Sequence, residues 1–160
     1  MSDRATPMNL LLQLLIREEA ALLTLVKLAG DEQAALVASD FTRVESVANE
    51  MESGAARLEE LERERNTLLE AIGCAGSSLS DVARIADHGG LPAMEDTRRR
   101  LLSAAEALRD AEERNARLIL SAAKLRERWF SLLAGLSSST YGAEGRQELQ
   151  QSRRVVSKSA

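Results

Sequence analysis

One apolar stripe runs from Met94 to Leu136 at alternating spacings of three and four: Met94, Thr97, Leu101, Ala104, Leu108, Ala111, Asn115, Leu118, Ala122, Leu125, Trp129, Leu132 and Leu136. Eleven of these thirteen positions are apolar, so the pattern is sustained rather than accidental. A strand cannot use such spacing, because its side chains alternate with period two. A helix packed against other helices can, since this is the heptad seam of coiled-coil-like packing. Leu102, Ala105, Ile119, Phe130 and Leu133 widen the stripe, enough to meet two neighbouring helices. Leu91-Pro92 reads as the start of this helix, because proline lacks only an N–H that the first turn leaves without a partner.

Two more long helices precede it. Thr6-Pro7 reads as the start of the first, over about residues 7–37. Its stripe is Met8, Leu11, Leu15, Glu18, Leu22, Leu25, Ala29, Glu32 and Leu36. Gly30 weakens that helix, and a break there is the alternative to continuity. Ser39 and Asp40 offer capping oxygens for a second helix over about 41–72, which Gly73 and Gly76 stop. A short helix over about 80–88 follows, ended by Gly89-Gly90. The expected fold is all-α: an elongated antiparallel bundle of three long helices with a short connecting helix. If the first two helices fold back at Ser39-Asp40, Glu18 comes within about one turn of Arg65, and the two interruptions of apolar stripes pair with each other.

The periodicity breaks after Leu136 at Ser137-Ser138-Ser139-Thr140. Residues 1–136 are therefore expected to form the bundle and residues 137–160 a mobile or short-helical tail, polar and mildly basic. The last helix outruns the second by about 12 residues, or ~18 Å at 1.5 Å per residue. That projection holds Leu125, Trp129, Phe130, Leu132 and Leu133, too much apolar surface to leave in water. The tail, a second copy or a partner helix is expected to cover it. Trp129 is either an aromatic plug at the bundle end or a docking residue.

Catalytic and ligand-binding chemistry is absent from the pattern. The chain has one histidine, His88, and one cysteine, Cys74, too few for a structural zinc set or an internal disulfide. Cys74 has no base nearby in sequence, and His88 fits a helix C-terminus. The glutamates 59, 60, 62 and 64 read as a solvated face. Arg98, Arg99 and Arg100 fan around the helix by about 100° each and make no single phosphate patch. Four aromatics and a net charge of −4 give no stacking platform or basic groove for nucleic acid. The Leu-rich stretch 8–16 is interrupted by Asn9 and Gln13 and is neither a signal peptide nor a membrane span. No enzyme, metal or cofactor is expected, and the cytosol is the expected location. Asn115 either fixes helix register or sits at the edge of the stripe.

The run Leu58-Glu59-Glu60-Leu61-Glu62-Arg63-Glu64-Arg65-Asn66-Thr67-Leu68-Leu69-Glu70-Ala71-Ile72-Gly73 resembles the FlgN-type flagellar export chaperones. The resemblance continues in Asn115-Ala116-Arg117-Leu118-Ile119 and in Thr140-Tyr141-Gly142-Ala143-Glu144-Gly145. It implies a cytosolic chaperone of hook-associated proteins that keeps them export-competent and delivers them to the export gate. It also implies that the tail engages the client, through Arg146, Leu149, Arg153, Val155 and Val156, while Tyr141 docks on the gate. Leu125, Trp129, Phe130 and Leu133 join the client surface by virtue of the projecting stripe. A weak homodimer without client is a further expectation. The rival reading is a scaffold coiled coil that oligomerises through its stripes.

Overall fold

The computed structural model describes the backbone of residues 2–88 and 91–156 and the side chains of residues 6–88 and 91–134. Four helices follow one another: α1 (Ser2–Ala38), α2 (Phe41–Ala71), α3 (Leu79–His88) and α4 (Ala93–Val156). Among the described residues no strand occurs, so the all-α expectation holds. The chain divides into two compact units, Met1–Leu118 and Ile119–Ala160.

Within the first unit, α1 starts at Ser2 and carries Pro7 inside it, one turn earlier than the Thr6-Pro7 start expected from sequence. The missing proline N–H removes a single bond close to the helix end, which the turn before it tolerates. Gly30 does not break α1, because Leu25, Ala29 and Ala35 on either side of it are buried and hold the helix against its neighbours. At the end of α1, Ser39 adopts φ 56°, its N–H reaches Leu36 O at 3.1 Å, and Asp40 N–H reaches Ala35 O at 2.9 Å. This is a Schellman closure with serine where glycine is usual. The Asp40 carboxylate then accepts from the Arg43 N–H at 3.0 Å and caps α2. One residue thus ends one helix and starts the next, forcing α2 back along α1.

The same closure ends α2. Gly73, with φ 74°, sits in the left-handed position, and Cys74 N–H bonds Leu69 O at 2.8 Å. Cys74 and Leu69 both enter the core, the apolar contact that accompanies this motif. Ser78 caps α3 by accepting from the Asp81 N–H at 3.1 Å, and Val82, Ala83 and Ala86 are the buried face of α3. Gly89-Gly90, the expected end of that helix, lies outside the described residues. Pro92 immediately precedes α4, as expected.

The core gathers Met8, Leu11, Leu15 and Leu22 of α1, Leu69 of α2, the buried face of α3, and Met94, Leu101 and Ala104 of α4. Ion pairs fix the directions. Arg17 meets Glu64 at 3.2 Å and Asp31 meets Arg43 at 3.5 Å, so α1 and α2 are antiparallel. Glu19 meets Arg100 at 2.9 Å and Asn115 Nδ2 donates to Ala29 O at 2.8 Å, so α4 runs parallel to α1. The Glu18–Arg65 pair expected from the fold-back is present, with side chains only 2% and 18% exposed. At Gly54 the two helices approach closely: a Cβ there would lie 2.8 Å from Leu25 Cδ2.

The helix expected to stop at Leu136 does not stop. α4 runs to Val156, through the segment read as a mobile or short-helical tail. The serine run removes the apolar period, but it contains no proline to end the helix. Among the described residues no helix is long and apolar enough to cross a membrane.

Candidate functional site

The stripe of α4 has two fates. From Met94 to Asn115 its members Met94, Thr97, Leu101, Ala104, Ala111 and Asn115 are buried. In the second unit every described residue, 119–134, is exposed. Leu125, Trp129, Phe130 and Leu133 are 57%, 60%, 66% and 58% exposed, and Leu132 and Ile119 are open as well. Trp129 is thus open to solvent and not buried. Nor does the tail cover this surface, because residues 137–156 continue the same helix and cannot fold back along it.

At about 100° per residue, Leu132, Leu125, Trp129, Ala122, Leu133, Ile119 and Phe130 fall in order around one arc of about 160°. That is wider than the ~100° an ordinary packed helix turns to its core. Arg126 lies inside the arc near its Phe130 edge, Arg128 lies just beyond its Leu132 edge, and Lys124 and Glu127 both lie on the far side. Leu132 and Ile119 belong to this surface although the sequence reading left them out of the client set. Their place in the stripe and beside it was the signal. The side chains of Tyr141, Arg146, Leu149, Arg153, Val155 and Val156 lie outside the described residues, and only their place in the helix is given.

The polar groups of the first unit are structural. Arg98 makes two bonds of 2.8 Å to Glu95, Arg99 pairs with Asp96, and Arg100 crosses to Glu19. The arginine run is thus divided among separate partners, and the Arg98 hydrogen bond holds the Glu95 carboxyl below its ordinary range. Glu60 and Glu64 pair with Arg57 and Arg17, as members of a solvated face do. His88 Nδ1 stands 2.7 Å from Arg84 O, the last-turn role expected of it. Cys74 is a buried free thiol. Among the described residues no group of three or more His, Cys, Asp or Glu side chains is placed to hold a metal ion.

Asn115 resolves to the core side of its two readings. It is buried, and its Nδ2 donates to Ala29 O at 2.8 Å and to Glu32 Oε2 at 2.7 Å. Its Oδ1 has no partner, nor does Oε1 of Glu18. Burial pushes the Glu18 carboxyl above its ordinary 4.5, with Arg65 pulling the other way and Glu62 adding to the rise. Both groups join helices of the first unit.

The chain therefore offers two things: a helical bundle held by specific polar ties, and a bare apolar helix face. Neither the curated proteins nor the solved structures yield a match to it. The family model described as FlgN protein matches it over residues 8–148, which takes in α1 from its first buried residue, both hairpin turns and most of α4. With that match spanning nearly the whole chain, and a helical bundle beneath it, the chain belongs to the FlgN family of flagellar export chaperones.

Proposed function

We propose that this chaperone works in the cytosol on hook-associated proteins, keeping them soluble and export-competent before it hands them to the export gate. The observation that supports this reading is the open arc on α4. A stripe that is buried as far as Asn115 carries on unchanged through Leu125, Trp129 and Leu132, without a neighbour. Each large apolar side chain taken out of water contributes about 1.5–3 kcal/mol. The arc therefore stores its affinity for whichever helix comes to lie on it. In this reading Leu125, Trp129, Phe130 and Leu133 hold the client, Arg146, Leu149, Arg153, Val155 and Val156 extend the contact along the helix, and Tyr141 docks on the gate.

The test uses purified hook-associated proteins encoded by the same genome. Leu125→Ala with Leu133→Ala should leave the melting temperature in place, since both residues are exposed. The same pair of changes should weaken client binding in calorimetry by tenfold or more. Tyr141→Ala should preserve client affinity and reduce secretion. Client affinity that ignores the leucine changes would remove this surface from the reading. A chain that changes oligomeric state and has no affinity for the client would favour the scaffold alternative.

A further inference from the structure

We propose that the open face of α4 selects an amphipathic helix whose own apolar stripe is flanked by carboxylates. This rests on the reading of that face as the client site and adds the chemistry of the partner.

The placement of charge carries the inference. The chain as a whole is acidic, with a formal charge of −4. The open stretch 119–134 reverses that balance: Lys124, Arg126 and Arg128 stand against Glu127 alone. By the helical spacing of about 100° per residue, Arg126 lies at the Phe130 side of the arc and Arg128 just beyond its Leu132 edge, while Lys124 and Glu127 both lie on the far side. Among the described residues none of the three cations has a carboxylate within ion-pair distance, whereas Arg17, Arg57, Arg65, Arg98, Arg99 and Arg100 all do. The arginines that tie the first unit together are matched by carboxylates three residues away or across a helix pair. Those on the flanks of the arc are left for something else to match.

The same charges argue against other occupants. A second copy laid face to face would bring the same cations onto both flanks, and like charges across an interface count against a pairing. Residues 137–156 continue α4 itself. A helix with Glu or Asp at the positions beside its apolar stripe meets both requirements at once, burying the arc and pairing its rim. Rim pairs of this kind add little affinity each and act chiefly on choice of partner.

Two synthetic helical peptides test this, alike in their Leu/Ile face and free of aromatics. One is flanked by Glu and the other by Lys. Trp129 is the only tryptophan, so its emission reports on this face alone. Titrated into the full chain at low salt, the Glu-flanked peptide should shift Trp129 emission to shorter wavelength and bind about fivefold tighter, as two rim pairs of roughly two- to threefold each require. The preference should fade at ~0.5 M salt, where such pairs are screened. R126E/R128E, both at exposed positions, should keep its helicity and invert the preference. Equal binding of both peptides, or tighter binding of the Lys-flanked one, overturns the proposal while the client surface stands. Silence toward both peptides with a Trp129 shift on adding purified hook-associated protein also overturns it and leaves the client reading intact. Silence toward all three ends both. A Trp129 shift that follows protein concentration alone, with a dimer in sedimentation, gives the face to a second copy and overturns the proposal.

Discussion

Removing the Arg65 guanidinium while keeping its bulk, as Arg65→Met, isolates the buried ion pair. Glu18 is then left with a side chain 2% exposed, no cation, and an Oε1 that already lacks a partner. Breaking a buried pair from one side costs about 3–5 kcal/mol when the remaining charge must stay. Here it need not stay, because a carboxyl can take a proton instead. Burial already raises this carboxyl above its ordinary 4.5, and loss of Arg65 removes the main influence opposing that rise. Holding Glu18 neutral at pH 7 costs at most about 1.4 kcal/mol for each unit between 4.5 and 7, or about 3.4 kcal/mol. The expected loss is therefore about 2–3 kcal/mol at pH 7 and less than about 1 kcal/mol at pH 5, where little energy is needed to protonate the group. In the unaltered chain the sign is the same and the size smaller. A raised carboxyl binds its proton more tightly folded than unfolded, so stability falls as pH rises through the window just above 4.5 and is flat beyond it. Urea unfolding followed by far-UV circular dichroism at the two pH values measures both. Adding Glu18→Leu to Arg65→Met should restore most of the loss, since an apolar pair suits a buried site at least as well as an ionic one. A loss below about 0.5 kcal/mol, equal at both pH values, would show the pair to be solvated and refute the reasoning.

Two helix-interior glycines should respond in opposite directions. Gly30→Ala adds a Cβ that meets nothing within 4 Å and should stabilise by about 0.5–1 kcal/mol, whereas Gly54→Ala drives its Cβ into buried Leu25 and should destabilise by about 1–2 kcal/mol, both read by thermal melts. Ser39→Gly removes the strain of a left-handed serine at φ 56° and should raise stability by up to about 1 kcal/mol without changing helicity. Asn115→Ala leaves Glu32 without its 2.7 Å donor and opens a small void between α1 and α4, and should cost about 1–2 kcal/mol in urea unfolding.

The elements that could be read from sequence are those whose signal is local. Asp40 and Gly73 announce helix ends by their own chemistry, and α1 and α2 were placed accordingly. The Glu18–Arg65 pair could be read for a related reason. A two-residue turn fixes the register of a helix hairpin, so counting outward from Ser39-Asp40 locates partners along its length. The Glu19–Arg100 tie could not be found that way, because α3 and its connections stand between α1 and α4 and no count crosses them. The extent of α4 is not legible because an apolar period marks an amphipathic face and not the limit of a helix, and the helix outlasts the period after Leu136. Trp129 stayed ambiguous because the stripe has the same spacing on both sides of Asn115. Nothing in a periodic pattern says where its neighbours end. The cationic rim consists of Arg126 and Arg128, which read as ordinary surface in the sequence until the face between them is known to be bare.

A helix left without neighbours must hold its shape by other means, and residues 119–134 are composed for that. Most helices in proteins are stabilised by packing of an apolar face, which this stretch lacks on its own. It compensates with strong helix formers: Ala122, Ala123, Lys124, Leu125, Arg126, Glu127, Arg128, Leu132, Leu133 and Ala134. No glycine or proline interrupts them before Gly135. The bundle of the first unit adds the nucleus, since extending an existing helix avoids the costly first turn. A face built in this way is already shaped when its partner arrives. The ordering cost of association then falls chiefly on the incoming segment, and a chaperone that must later release its cargo gains from that division. The partner's loss of order keeps the affinity moderate, while the preformed arc keeps the choice of partner specific.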